Sequence, residues 1–108
     1  MKKQERNFIM YLEDIFEGAK SIEKYVESLT VEKFETDQKT QDAVIMRIGI
    51  IGEAVKNLPT AVKKKHTQIN WKRLVKMRNI LVHEYFGINL KRVWKTVKED
   101  LPDLKQKI

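Results

Sequence analysis

The chain has 108 residues, 34% of them Asp, Glu, Lys or Arg, with no cysteine and a formal net charge of +7 (pI ≈ 9.6). That length suits a single domain, residues 1–108, burying roughly two-thirds of its unfolded surface. The missing thiols exclude disulfides and thiolate metal sites, and two prolines and four glycines leave little punctuation for a many-stranded sheet.

No apolar run approaches the ~20 residues needed to span a membrane. Phe8-Ile9-Met10 meets a charge again by Glu13, too soon for a signal-peptide core. The expectation is a soluble, cytoplasmic protein with no membrane contact. Its positive charge makes a polyanion a natural partner.

In chain order, apolar residues at 8, 12, 15, 16, 19, 22, 26 and 29 keep helical spacing and predict a long amphipathic helix from Phe8 to Leu29. Thr30 can cap a short helical piece through Phe34. Asp37 or Thr40 then opens a second long helix. Its buried face is Ala43, Val44, Ile48, Ile51, Ala54, Val55 and Leu58, and Leu58-Pro59-Thr60 ends it.

Gly49 and Gly52 lie inside that helix, where each costs about 1 kcal/mol relative to Ala. Close packing against another helix is the favoured reason. A phosphate-cradling Gly-x-x-Gly loop is the alternative, weakened by the absence of a Lys-Ser/Thr and of a preceding strand. Lys63-Lys64-Lys65-His66 is a basic run on a solvated connector or short helix.

Asn70 caps a helix from Trp71 to about Phe86, with Gly87 as its stop. Asn89 caps the last helix, whose apolar face is Leu90, Val93, Trp94, Val97 and Leu101. Pro102 then leaves a short basic tail. The fold class is all-α: an antiparallel up-and-down bundle of four main helices plus one or two short ones.

The richest segment is Arg78-Asn79-Ile80-Leu81-Val82-His83-Glu84-Tyr85, where charges interrupt an apolar stripe. On a helix, Arg78 and His83 are separated by about 140° and about 7.5 Å of rise. Asn79 shares a stripe with His83, and Arg78 with Tyr85. A histidine suits proton transfer at neutral pH, and an arginine fork matches phosphate oxygens. The plainer readings are a structural histidine, an ion pair from Arg78 to Glu53 or Glu84, and a tyrosine that closes the bundle. With two distant histidines and no clustered carboxylates, neither metal nor cofactor is expected.

Arg-x-x-x-x-His-x-Tyr with Asn after the Arg resembles the signature of the HEPN superfamily, more narrowly the HepT-like ribonuclease toxins. Asp42-Ala43-Val44, Gly52-Glu53-Ala54, Trp71 and Asn89-Leu90-x-x-Val93-Trp94 look like the same family, so the likeness spans nearly the whole chain. The resemblance implies a metal-independent endoribonuclease, the toxin of a type VII toxin–antitoxin system. Arg78 and His83 would be catalytic and Asn79 supporting, with RNA as substrate in a composite cleft between two protomers. It further implies a nucleotidyltransferase antitoxin of the MNT type that transfers AMP to Tyr85, and a homodimer that can join the antitoxin in a larger complex. Lys72, Lys76, Lys91 and Lys95 flank the motif and would contact phosphates. The competing function is a non-catalytic helical subunit that binds a nucleotidyltransferase and nucleotides. A DNA-binding module lacks a recognisable recognition helix.

Overall fold

A computed structural model describes residues 3–83 and 89–107 along the backbone, with side chains described for 9–79 and 89–107. Its elements are α1 (Lys3–Val26), α2 (Val31–Thr36), α3 (Gln38–Asn57), α4 (Thr60–Lys65), α5 (Trp71–His83), α6 (Leu90–Lys95), a π-turn (Thr96–Asp100) and α7 (Leu101–Lys107). The last three form one continuous helical run. The protein is an all-α helical bundle. Among the described residues no helix is long and apolar enough to cross a membrane.

Caps set most of the boundaries. Thr30, in extended backbone, accepts the N–H of Lys33 and opens α2. Asp37 is the cap that opens α3: it accepts the N–H of Thr40 at 3.1 Å and the Thr40 hydroxyl at 2.7 Å. Helix α1 stops at Val26, short of Leu29, because the chain turns there to bring Thr30 into its extended capping conformation. Asn70 and Asn89 accept the N–H groups of Arg73 and Arg92 and open α5 and α6 as their sequence positions predict.

The core runs along α1 and α3 and then across α5 to the C-terminal run. Ile15, Ile22 and Val26 of α1 meet Val44, Ile48, Ile51 and Val55 of α3. Phe34, Trp71, Leu74, Val93, Val97, Leu101 and Leu104 complete it. Phe34 lies against Trp94 with ring centroids 5.3 Å apart. Gln41 is buried, and its amide donates to the Phe34 carbonyl at 2.8 Å; apolar periodicity gives no sign of this contact. Ala43, expected on the buried face, is only half-buried.

The residues after Pro102 are not a loose tail. Pro102 sits in the first turn of α7, directly after a π-turn whose wider ladder already lacks the regular bonds a proline would remove. The helix continues, Leu104 enters the core, and Lys105 reaches Glu23 of α1 at 2.9 Å.

The two glycines of α3 part company. A β-carbon at Gly52 would collide with Cβ of Arg78 and lie 2.6 Å from its Cγ, so the glycine lets α5 approach α3. A β-carbon at Gly49 meets nothing within 4 Å among the described residues. Close packing therefore explains Gly52 and leaves Gly49 unexplained. Gly52→Ala should lower stability by about 1–3 kcal/mol through overpacking. Gly49→Ala should raise it by up to about 1 kcal/mol through helix propensity. Urea unfolding of both variants checks this contrast, and equal effects would contradict it.

Candidate active site

Helix α5 carries the candidate residues, and its sequence fixes how it is seated. Asn70 caps it. Trp71 is buried, and its indole N–H donates to the carbonyls of His66 (3.1 Å) and Lys63 (3.3 Å), tying the end of α4 to the start of α5. The His66 carbonyl thus has a structural use. Leu74 and Met77 bury the next turn. Arg78 then lands on Gly52, where a larger residue on α3 would push it away.

That seat determines what the guanidinium can reach. Nη2 of Arg78 lies 2.9 Å from Oε2 of Glu53, and Nη1 donates to Oδ1 of Asn79 at 3.0 Å. The ion pair with Glu53 is thus present, as the plainer reading of Arg78 proposes. It does not exclude a functional one. The Arg78 side chain is 23% exposed and that of Glu53 50%, so the pair sits at the surface. Such pairs are worth at most about 1 kcal/mol. An arriving phosphate would compete with the weakly held Glu53 carboxylate for a fork already oriented.

Asn79 does more than its stripe suggests. Consecutive helical residues are about 100° apart and do not normally face each other. Here the length of the arginine lets Asn79, on the stripe of position 83, hold the guanidinium from the neighbouring stripe. Position 83 is the last described residue of α5, one turn beyond Asn79. The side chain of His83 lies outside the described part of the structure, as do Glu84, Tyr85, Phe86 and the expected stop at Gly87. The structure thus brings together Arg78, Asn79 and Glu53, and places position 83 in register with them along the helix.

Comparison with known proteins gives the family. Residues 15–108 match the family described as Ribonuclease HepT-like. The chain is 48% identical over 97 residues to a protein named "Probable ribonuclease HepT" from Thermococcus cleftensis, covering 90% of this chain and 88% of that one. It is 46% identical over 99 residues to "Gamma-glutamylcyclotransferase and putative RNase MJ0434" of Methanocaldococcus jannaschii, covering 92% of this chain and 45% of that longer protein. A "Putative RNase TTE0752" of Caldanaerobacter subterraneus subsp. tengcongensis is 37% identical over 98 residues, with 91% and 88% covered. No solved structure matches the chain. The chain belongs to the HepT-like family of HEPN-type ribonucleases, and is by that membership an endoribonuclease.

Glu53, offered by the sequence only as an ion-pair partner, sits where it can orient the Arg78 guanidinium. Glu53→Ala should reduce kcat on RNA about tenfold while leaving KM within about twofold, and should shift stability by less than about 1 kcal/mol. Steady-state kinetics and thermal melting test this together; unchanged kcat would remove Glu53 from the site.

Proposed function

We propose that the protein cleaves RNA without a metal ion, using Arg78 and His83, as the toxin of a type VII toxin–antitoxin pair. The observation that carries this reading is Arg78, its stem packed on Gly52, its guanidinium held by Glu53 and Asn79 and its side chain left partly open to solvent. In the proposed reaction the 2′-hydroxyl of one nucleotide attacks the adjacent phosphorus. Its proton passes to a base, the bond to the 5′-oxygen breaks, and that oxygen takes a proton from an acid. A cyclic 2′,3′-phosphate and a free 5′-hydroxyl result. His83 serves the proton transfers, worth about 10²–10⁴-fold. Arg78 stabilises the charge on the phosphorane through paired N–H donors.

One histidine cannot at once accept one proton and donate the other. Two protomers meeting about α5 would supply a second Arg–His set to the same phosphate, so the active form is proposed to be a homodimer. Control is assigned to Tyr85, which shares the helical stripe of Arg78. A nucleotidyltransferase antitoxin would catalyse attack of the tyrosine oxygen on the α-phosphorus of ATP, releasing pyrophosphate and leaving AMP on Tyr85. The new phosphodiester would occupy the anion position that Arg78 offers to RNA, and the adenosine would block the cleft.

The test is RNA cleavage by the purified protein in EDTA. His83→Ala and Arg78→Ala should each lose at least about 10²-fold in rate with the helical circular dichroism spectrum unchanged. In the same assay, protein co-expressed with the cognate nucleotidyltransferase should be silent and carry one or more AMP groups on Tyr85 by mass spectrometry. Tyr85→Phe should stay active under that co-expression. Full activity in either alanine variant removes that residue from catalysis, and neutralisation without modification removes Tyr85 from control.

A further inference from the structure

The sequence contains Arg-x-x-Lys twice, at Arg73–Lys76 on α5 and at Arg92–Lys95 on α6. Each pair places two positive charges one turn apart on its helix, an arrangement that mildly disfavours the helix. The fold then gathers both pairs around a single cleft of about 230 Å³, with Met77 and Thr96 as its remaining lining. Met77 and Thr96 are buried, and the Thr96 hydroxyl donates to the Arg92 carbonyl, so that lining is fixed. Lys76, Arg92 and Lys95 are exposed. Packing gains nothing from bringing four cations to one space; a polyanion would.

Two further features favour a built groove over a chance cluster. Arg73 is anchored from below: its Nε lies 3.2 Å from Oδ2 of Asp100, whose side chain is 14% exposed. The guanidinium has more donors than that one carboxylate uses, so it can still meet a second anion. Burial pushes the Asp100 carboxyl above its ordinary range, while the Arg73 charge pulls it back. The cleft also abuts the π-turn, a local distortion of the kind often kept where helices carry function.

We propose that this cleft between α5 and α6 binds backbone phosphates of the RNA strand and leads it to position 83. Lys76 and position 83 lie seven residues apart on α5, on nearly the same stripe and separated by about 10.5 Å along the axis. A strand lying in the cleft would run along that stripe. The inference rests on RNA being the substrate, and it separates the flanking lysines: Lys76 and Lys95 line the cleft, whereas Lys72 and Lys91 do not.

The probe is a fluorescent single-stranded oligoribonucleotide, 2′-O-methylated throughout so that it cannot be cut. Its binding to the full protein is measured by anisotropy across a salt series. The variant Lys76→Ala/Arg92→Ala/Lys95→Ala should bind about tenfold or more weakly, with a salt slope shallower by about 2, given roughly 0.7 per phosphate contact on a single strand. Lys63→Ala/Lys64→Ala/Lys65→Ala removes the same charge from α4 and should change affinity less than twofold. The single changes Lys76→Gln and Lys95→Gln should act in the same direction as the triple change, which covers any folding defect in it. Equal losses in both triple variants would mean that only overall charge matters, and would overturn the cleft. Wild-type affinity in the cleft variants, with normal RNA cleavage, would overturn it while leaving the ribonuclease reading intact. Loss of neutralisation by the antitoxin with RNA affinity unchanged would assign the cleft to an acidic protein surface and likewise overturn the proposal. Cleft-dependent binding by a wild-type protein that cuts no RNA would uphold the cleft and defeat the catalytic reading.

Discussion

Where α5 crosses α3, the first two side-chain carbons of Arg78 occupy the space that a side chain at position 52 would need. A glycine inside a helix costs about 1 kcal/mol, and here that cost has an identifiable return. It lets the stem of an arginine lie flat across the neighbouring helix, with its charged end emerging beside Glu53. Trp71 and Leu74 are buried and seat α5, and the Leu74 carbonyl and the Arg78 stem both lie against Gly52 at the crossing. Packing and electrostatics meet at one point: the contact that joins two core helices also aims the charge.

Charge is unevenly used over the rest of the molecule. The net +7 does not single out a binding face, because Lys63, Lys64 and Lys65 contribute to it from α4, away from the Arg-x-x-Lys pairs. Carboxylates do the sorting. Glu53 and Asp100 each hold one arginine of α5 at its edge, and Glu23 ties Lys105 to α1 to close the C-terminal run on the bundle. Lys76 of the basic cleft shares a stripe of α5 with position 83, whereas Arg78 projects from another, and the side-chain bridge from Asn79 to Arg78 links the two stripes.

The architecture was largely legible in the sequence because it is written in caps and periodicity, both local signals. Thr30, Asp37, Asn70 and Asn89 all open the helices they predict. The misreading of Pro102 has a physical cause: local rules treat a proline as a stop, and the π-turn that accommodates it leaves no compositional trace. Gln41 and Leu104 escaped notice for similar reasons, since a buried glutamine is paired by a carbonyl seven residues away and Leu104 lies beyond the supposed stop. At the site, spacing and family resemblance identified Arg78, Asn79, His83 and Tyr85 as candidates, and sequence offered Glu53 as a partner of Arg78 without showing that the two meet, which needed three dimensions. The role of Gly52 was half legible: a packing glycine could be inferred, its partner could not.

The central claim is that Arg78, held across Gly52, contacts the phosphate as an oriented fork and not merely as a positive charge. Arg78→Lys keeps the charge but loses the planar pair of donors. Single-turnover cleavage of RNA in EDTA, comparing this variant with the wild type, addresses the claim directly. The account predicts a rate at least about 10²-fold lower for the lysine variant, on the scale of losing one oriented transition-state donor. A rate within threefold of the wild type would contradict it.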